Sequence, residues 1–283
     1  MQVPFFPQEA YQCGPAALAT VLGWTGLEVT PEQLVDDVYL PARKGSLQIE
    51  MLVAPARHGR LAVQLPPREA GLRAELDAGH PVVVLQNLAL PAQPVWHYAV
   101  LTGYDATAEE WVLNSGRVRG HRLGSNRFLA TWERASHWAM VVLPAGELPA
   151  SEVTAQAYIA GALALERAGR RDEAEKVFTA GLARWPDEAL MPFGLANARY
   201  ARGDLAGAEQ ALRIALQIDG GAMPVLNNLA QVLIERGCPA LAIPYAERAL
   251  ALAGERSAAV EVTLKQAREK AAAGAVCRHE AAP

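Results

Sequence analysis

The sequence is poor in cysteine, in long apolar runs and in excess charge of either sign. Its 283 residues include three cysteines that lie far apart and form no CxxC pair, so we expect neither a disulfide framework nor a structural zinc site. No apolar run approaches the roughly 18–20 residues of a membrane span. The formal net charge is −4 and the basic residues are scattered, which excludes a typical nucleic-acid-binding surface. An ordinary globular composition of this length indicates two domains or one large one.

The start of the chain lacks the charged and apolar regions of a signal peptide, because VPFFPQ begins almost at residue 1. Two expectations follow from this. The protein is cytoplasmic, or an export or lipoprotein segment has been removed. We favour the second, which places the protein on the periplasmic side of a membrane.

The stretch Gln8–Leu22, QEAYQCGPAALATVL, joins a cysteine to the start of a predicted helix. Pro15 suits the first helical turn, where a missing N–H costs nothing. Cys13 then lies where free amides and the helix dipole favour negative charge. We therefore expect a lowered thiol pKa and a nucleophilic thiolate. The alternative is that Cys13 is a small buried hydrophobic residue.

Helix signals precede strand signals in the first half of the chain. Thr30, Pro31 and Gln33 form a capping box that opens a helix near residues 31–40, and two more helices are predicted in KGSLQIEMLVAPARHG and at residues 68–78. The predicted strands follow as LAVQL, PVVVLQN, HYAVLTGYD, EWVLNSG and WAMVVLP. Helices followed by strands indicate an α+β domain with an antiparallel sheet.

Two polar residues stand at the ends of predicted neighbouring strands. His97 begins one strand and Asn114 ends the next, so a tight turn between the strands brings them together. A thiol hydrolase needs this order of nucleophile, base and tautomer-fixing group: Cys13, His97 and Asn114. Gln8 supplies the side-chain donor of an oxyanion hole, together with the Cys13 N–H. Taken singly, a histidine at a strand start is more often a structural residue, and Asn before Ser-Gly is a common turn residue.

At this point the residues resemble the C39-like cysteine peptidases, a family with a papain-like fold. The matching segments are VPFFPQEAYQCGPAALATVL, KGSLQIEML, PVVVLQN and WHYAVLTGYD followed by WVLNSG. The resemblance covers roughly residues 1–145 and implies Cys13 as nucleophile, His97 as base, Gln8 as oxyanion glutamine and Asn114 at the third position. The chain looks most similar to a bacterial subgroup that carries tetratricopeptide repeats. Its members are often described as bacteriocin-processing or double-glycine peptidases.

Two positions depart from the pattern of that family. Asn114 stands where the family usually has Asp, and an amide oxygen accepts the imidazole N–H but cannot stabilise imidazolium by charge. Gln12 precedes the cysteine where many members have Asp, which makes Gln12 a minor rival to Gln8. Because the membrane and ATPase domains of export-type members are absent from this sequence, the double-glycine preference is an expectation at family level only.

The second half of the chain has an internal period of 34 residues. Small residues recur at this spacing: Gly169, Gly203 and Gly237, and Ala174, Ala208 and Ala242. This period is typical of tetratricopeptide repeats, which contain two antiparallel helices each. We predict a peptidase domain at 1–145, a linker at 146–151, three repeats plus a capping helix at 152–275, and a frayed tail at 276–283. In that tail Cys277 and His279 resemble a metal pair only superficially, and Cys238 is expected to be a packing residue.

Three repeats and a cap form a short concave groove. We expect polar side chains on it to hold a peptide or a partner protein: Asn197, Arg199, Asn227, Asn228 and Gln231. The alternative is that the repeats only stabilise or position the peptidase domain.

The sequence thus predicts an α+β papain-like domain followed by an all-α repeat domain. The predicted function is a thiol-dependent peptidase that cleaves a peptide or protein and requires no metal or cofactor. Two alternatives stay open: a catalytically silent peptide-binding adaptor, and a cysteine-dependent acyl or peptidyl transferase.

Overall fold

The computed structural model describes residues 1–8, 12–43, 45–254, 257–275 and 277. It divides the chain into two compact units, Met1–Glu173 and Ala174–Pro283. The predicted fold class is confirmed, since an antiparallel sheet with helices precedes a series of paired helices. Over the described ranges, no helix combines the length and the apolar character that a bilayer crossing requires.

The N-terminal unit is built on an antiparallel sheet. Its strands, within the described residues, are β1 (Arg60–Gln64), β2 (Val82–Asn87), β3 (Trp96–Asp105), β4 (Glu110–Ser115), β5 (Val118–Gly124) and β6 (Ala139–Pro144). They lie in the order β1-β6-β2-β3-β4-β5, and neighbouring strands pair antiparallel. The strand β2 is buried along its whole length because both of its faces are covered, as its continuous apolar run predicts.

Helices cover both faces of this sheet. They are α1 (Cys13–Trp24), α2 (Pro31–Val38), α3 (Gln48–Arg57), α4 (Glu69–Asp77), α5 (Ser125–Glu133) and α6 (Ala155–Arg167). The predicted capping box opens α2, where the Thr30 N–H donates to Gln33 Oε1 at 2.9 Å. The small and apolar residues after Cys13 let α1 pack closely on β2 and β3. One core cluster therefore joins α1 to Tyr98 and Val100 of β3.

The elements of this unit that were not predicted include β5 and α5. The strand β5, VRGHRLG, is exposed along most of its length and lies at the edge of the sheet. Its charged side chains suit an edge strand but remove the apolar alternation by which a strand is recognised. The helix α5 contributes Phe128 and Trp132, which stack with each other, and Phe128 also meets Trp111 of β4.

The helix α6 belongs to the first repeat by sequence period, but it packs within the N-terminal unit on β1 and α3. Gly161 permits this approach, because a Cβ there would overlap Leu61 and lie 2.5 Å from the Ala62 carbonyl oxygen. The segment before α6, predicted as a linker, is tied to α4. Its Ser151 is buried, and the N–H and hydroxyl of Ser151 donate to Glu75 at 2.9 and 2.6 Å.

Among the helices that follow, four form two packed pairs, and a single helix comes last. They are α7 (Arg171–Arg184), α8 (Leu190–Ala201), α9 (Leu205–Ile218), α10 (Met223–Glu235), α11 (Pro239–Ala253) and α12 (Ser257–Ala272). The predicted capping helix is α12. Residues 255 and 256 of the predicted range of repeats and cap lie outside the described residues, as do residues 276 and 278–283 of the predicted tail.

The 34-residue glycine spacing marks the ends of the first helices of the repeats. Gly169, Gly203 and Gly237 have φ angles of 74°, 82° and 78°. The next N–H in each case donates to a carbonyl five residues back: Arg170 to Leu165, Asp204 to Arg199, and Cys238 to Leu233. This is the Schellman geometry, in which glycine takes the left-handed conformation without a Cβ penalty.

The expectation that Cys238 is simply a packing residue is wrong, and the cysteines, which were expected to form no disulfide framework, do form one disulfide. Cys238 and Cys277 are bonded, with their Cα atoms 4.1 Å apart. Cys238 directly follows Gly237, so the turn between α10 and α11 is tied to the segment after α12. Spacing along the sequence gave no sign of this pair because 39 residues separate the two cysteines.

Candidate functional site

Cys13 is the first residue of α1 and, of the described cysteines, it is the free one. Burial raises the pKa of its thiol, and hydrogen bonds from the backbone N–H groups of Tyr98, Gly14 and Cys13 itself oppose this shift without cancelling it. The expectation of a lowered thiol pKa is therefore wrong. The helix start supplies amides, as predicted, but removal of the thiol from water outweighs them.

Gln8, which precedes Cys13 in the sequence, lies along the edge of β3. The Gln8 backbone N–H donates to the Gly116 carbonyl at 3.0 Å, and Gln8 Nε2 donates to the Tyr98 carbonyl at 3.3 Å. The N–H and C=O of one strand residue point to the same side of an antiparallel strand. Gln8 and the Cys13 thiol therefore lie on the same edge of β3, where Gln8 contacts the carbonyl of Tyr98 and the thiol contacts its N–H.

His97 precedes Tyr98 in β3 and is partly buried. Burial lowers the pKa of its imidazole, so the ring is neutral near pH 7. Its Nε2 lies 2.9 Å from the hydroxyl oxygen of Ser115, the last residue of β4. With Nε2 engaged in this way, Nδ1 is the nitrogen that remains to accept a proton from a thiol.

Asn114 lies one residue before Ser115, opposite Val100 of β3. Its Oδ1 accepts the Gly120 N–H at 3.1 Å. Its Nδ2 is buried and has no hydrogen-bond partner among the residues that the structure describes. The side chain thus serves the turn between β4 and β5 in this structure, and its role as the orienting residue stays a prediction.

Ser46 also approaches the site. Gly14 allows this contact, since a Cβ on it would overlap the Ser46 hydroxyl and lie 2.7 Å from Ser46 Cβ. The Tyr98 hydroxyl donates to the Ser46 carbonyl at 3.3 Å. The hydroxyl of Ser46 is buried and unpartnered within the described part of the chain. Leu47, not Ser46, is the N-cap of α3.

A cleft of about 280 Å³ opens beside these residues, and we name it the Trp96 cleft. Its lining comprises Ser46, Leu47, Gln48, Leu85, Trp96, Tyr98, Ala135 and Ser136. Leu47 and Trp96 expose large apolar surfaces to solvent. Ser136 has a φ of 55°, which is uncommon for a residue with a Cβ. The cleft is thus mainly apolar and adjoins Tyr98, which the Cys13 thiol contacts.

Three of the five predicted groove residues lie together in the repeat unit. Asn228 Nδ2 donates to Asn197 Oδ1 at 3.3 Å, and both line a cavity of about 110 Å³ with Gln231. Sequence reasoning missed Tyr200, which also lines this cavity and donates to Glu235 at 2.7 Å. Tyr200 is one helical turn after Asn197, so the helical period alone could have indicated it.

The other two predicted groove residues have different surroundings. Arg199 Nε donates to Glu175 at 3.3 Å, and its Nη1 donates to the Gly207 carbonyl at 3.3 Å. Arg199 thus pairs with α7 and α9 rather than lining the small cavity. Asn227 Oδ1 is buried and unpaired as far as the described residues show. No group of three or more His, Cys, Asp or Glu side chains in the described ranges is arranged to hold a metal ion.

The fold and the site define a protein with a cysteine at a helix start against an antiparallel sheet, followed by helical repeats. Residues 1–140 match the model of the Peptidase_C39 like family, and residues 159–222 match the model of the tetratricopeptide repeat. The chain therefore contains a C39-like peptidase-family domain followed by tetratricopeptide repeats. A comparison with curated proteins gives no match.

Solved structures similar to this chain are tetratricopeptide-repeat proteins. One is the type III secretion chaperone SycD of Yersinia enterocolitica with a peptide of the translocator YopD. It has 21% identity and a TM-score of 0.39, and covers 41% of this chain and 93% of that one. Another is a type III secretion complex from Aeromonas hydrophila, with 23% identity and a TM-score of 0.41, covering 44% and 86%. The first repeat domain of human RPAP3 has 18% identity and a TM-score of 0.40, covering 42% and 93%.

Proposed function

We propose that the protein is a thiol-dependent peptidase that cleaves a peptide or protein. One observation carries this proposal: the Cys13 thiol and the Gln8 amide meet the backbone of Tyr98, the residue next to His97. This arrangement sets a nucleophile and a side-chain amide donor at the Tyr98 backbone, and the proposed base is the neighbouring residue of β3. Such a set is what acyl transfer through a thiol needs.

In the proposed mechanism, His97 Nδ1 takes the proton of Cys13 and the thiolate attacks the scissile carbonyl. Gln8 Nε2 has a second hydrogen beyond the one donated to Tyr98, and with the Cys13 N–H it stabilises the oxyanion. His97 then protonates the leaving amine, and water releases the acyl-enzyme. The raised thiol pKa and the lowered imidazole pKa favour a neutral thiol and a neutral imidazole before substrate binds.

The Trp96 cleft supports a substrate with an apolar side chain near the cleaved bond. Its volume accommodates one large side chain, and Leu47, Leu85 and Trp96 supply apolar contacts. A residue such as leucine or phenylalanine therefore binds there better than glycine. This expectation differs from the double-glycine preference of the family.

The repeats provide a second binding surface for a peptide or partner protein in this proposal. Asn197, Asn228 and Gln231 share the small cavity, and their amides are able to hydrogen-bond an extended backbone. Arg199 is less suited to direct contact because it is already engaged with Glu175.

The disulfide supports a location outside a reducing cytoplasm. Disulfides persist in oxidising compartments such as the periplasm, and Cys238–Cys277 is such a bond. We therefore propose that the protein acts on the periplasmic side of a membrane. Equal stability of the purified protein with and without a reductant would remove this support.

The peptidase proposal is tested with a proteome-derived peptide library and mass spectrometry of new N-termini. We expect cleavage by the native protein and none by Cys13→Ala or His97→Ala, while His121→Ala, an exposed histidine on β5, cleaves normally. Cleavage that persists in Cys13→Ala contradicts the proposal. An added amine that appears in the products would indicate a transferase instead.

A second candidate is a catalytically silent peptide-binding module. The raised pKa of the Cys13 thiol favours it, because a neutral thiol is a poor nucleophile. Labelling with iodoacetamide at neutral pH separates the two candidates. We expect Cys13 to be alkylated faster in the native protein than in His97→Ala, whereas equal slow rates would favour the silent module.

A further inference from the structure

We propose that Ser115, rather than Asn114, is the residue that positions the His97 imidazole. This inference rests on the proposed function, in which His97 is the base. The structure gives the hydrogen bond directly, with 2.9 Å between His97 Nε2 and Ser115 Oγ. Nothing in the sequence distinguishes Ser115 from an ordinary turn residue before glycine.

The strand register explains why the neighbouring asparagine does not make this contact. Val100 pairs with Asn114 and Leu101 with Leu113, so the same register sets Ala99 opposite Ser115. Directly paired residues point to the same face of a sheet, and successive residues alternate. Ser115 therefore shares a face with Ala99 and His97.

Asn114 points to the other face, with Val100 and Tyr98. That face carries α1, because Val100 and Tyr98 belong to the core cluster under this helix. The carbonyl oxygen of Asn114 is engaged by the Gly120 N–H. For Asn114 to reach the His97 ring, β4 would have to shift by one residue, which would move every side chain of β4 to the other face.

In this proposal the hydroxyl of Ser115 accepts the Nε2–H of His97, and this leaves Nδ1 as the nitrogen that acts as the base. When Ser115 Oγ accepts a hydrogen from Nε2–H, the proton of the neutral ring stays on Nε2 and Nδ1 has a free lone pair. When Nδ1 takes the thiol proton, the Nε2–H bond to Ser115 persists. A hydroxyl orients the ring but carries no charge, so Ser115 is a positioning residue and the imidazolium gains little stabilisation.

This role predicts a moderate effect on catalysis. Loss of one neutral hydrogen bond lowers a rate by about tenfold, so Ser115→Ala should lower kcat about tenfold with KM little changed. The acid limb of the pH profile of kcat should move to lower pH in Ser115→Ala, because the protonated His97 ring loses a hydrogen-bond acceptor. Ser115→Thr, which keeps the hydroxyl, should restore both properties.

The decisive experiment reads the His97 ring itself and needs no substrate. In full-length protein labelled with ¹⁵N- and ¹³C-histidine, NMR shifts report the tautomer and the pKa of His97, assigned with His97→Ala. We expect Ser115→Ala to change both, and Ser115→Thr and Asn114→Ser to leave both near native values. Asn114→Ser keeps an acceptor for the Gly120 N–H, so that the turn is retained.

The outcomes separate the two proposals. The role of Ser115 is overturned if the His97 ring shifts change in Asn114→Ser but not in Ser115→Ala. It is also overturned if they change equally in both variants or in neither. Circular dichroism shows whether Ser115→Ala folds. If it does not, Ser115→Thr is compared with Ser115→Cys instead. Native His97 ring shifts in Ser115→Cys would then overturn the proposal. A native pattern of ring shifts with no peptide cleavage in any assay refutes the peptidase function but leaves the positioning role intact.

Discussion

The stability of the N-terminal unit should depend on a buried ion pair far from the proposed catalytic residues. Glu75, at the end of α4, is fully buried, and its Oε2 lies 2.6 Å from His80 Nδ1. The other carboxylate oxygen accepts two hydrogen bonds from Ser151, and His80 Nε2 lies 3.0 Å from Glu147. We name these four residues the Glu75–His80 cluster.

The perturbation is His80→Phe, which keeps a ring of similar size and removes both nitrogens. Breaking a buried pair leaves a charge without its partner and costs about 3–5 kcal/mol. Glu75 retains its two bonds from Ser151, so we expect the lower end, about 3 kcal/mol. Glu147 is substantially exposed, so the loss of its contact with His80 costs little stabilising free energy, because water replaces the imidazole. Such a loss is a large part of the 5–15 kcal/mol typical of a folded domain.

The pH dependence follows from the pKa shifts of the pair. The hydrogen bond to Glu75 raises the pKa of His80, although burial opposes it. Burial alone would raise the pKa of Glu75, but hydrogen bonds from His80 and Ser151 outweigh it and leave the value lowered. The His80 contribution is complete below the ordinary histidine pKa and is lost as pH rises through the raised value. The Glu75 contribution is lost as pH falls through the lowered value.

The assay is urea unfolding followed by tryptophan fluorescence. Five of the six tryptophans lie in residues 1–173, and Trp24 packs edge-on against His80 with ring centroids 5.6 Å apart. We expect the gap in unfolding free energy between native protein and His80→Phe to be largest at mildly acidic pH, between the ordinary carboxyl and imidazole pKa values, and to narrow at alkaline and at strongly acidic pH. Glu75→Leu combined with His80→Phe should be more stable than His80→Phe alone. The reasoning would be refuted if His80→Phe lowered the unfolding free energy by less than about 1 kcal/mol at pH 7. It would also be refuted if the difference between native protein and His80→Phe widened at alkaline pH.

Two further predictions concern close packing and the disulfide. Gly161→Ala should destabilise the N-terminal unit by about 1–3 kcal/mol because the new methyl meets Leu61 and the Ala62 carbonyl. Ala160→Ser, at an exposed position of the same helix, is the control. Equal urea unfolding midpoints for Gly161→Ala and the native protein would contradict the expected overlap. Cys238→Ser should lower the unfolding free energy of the helical unit by about 2–4 kcal/mol, since the bond closes a loop of 39 residues. Circular dichroism with and without a reductant measures this loss, and a reductant that destabilises Cys238→Ser as much as the native protein would count against it.

Helices and strands were predicted well where neighbouring residues in the sequence mark their ends or their alternation. The capping box at Thr30 opens α2 as predicted, and the glycines spaced by 34 end the first helices of the repeats. The strand containing His97 and the next strand pair as predicted. The edge strand β5 was missed because its side chains face solvent and leave no apolar alternation.

The members of the candidate site stay a prediction from the sequence, and their contacts were not predictable from it. Cys13 at a helix start follows from residue type and position, whereas the place of Gln8 beside β3 comes from the fold. The partner of His97 depends on which of two adjacent residues shares its face, and a shift of one residue in register would exchange them. The raised pKa of Cys13 depends on how much protein covers the thiol, which no local pattern states.

The sequence by itself determined the α+β class, the repeat period, and the order of cysteine, histidine and asparagine along the chain. These properties depend on neighbouring residues, whose spacing fixes helix faces, strand alternation and turns. Only the tertiary structure decided that Ser115 meets His97, that Cys238 is bonded to Cys277, and that α6 packs on the sheet. Each of these contacts joins residues distant in sequence or depends on strand register, so its geometry exists only once the chain has folded.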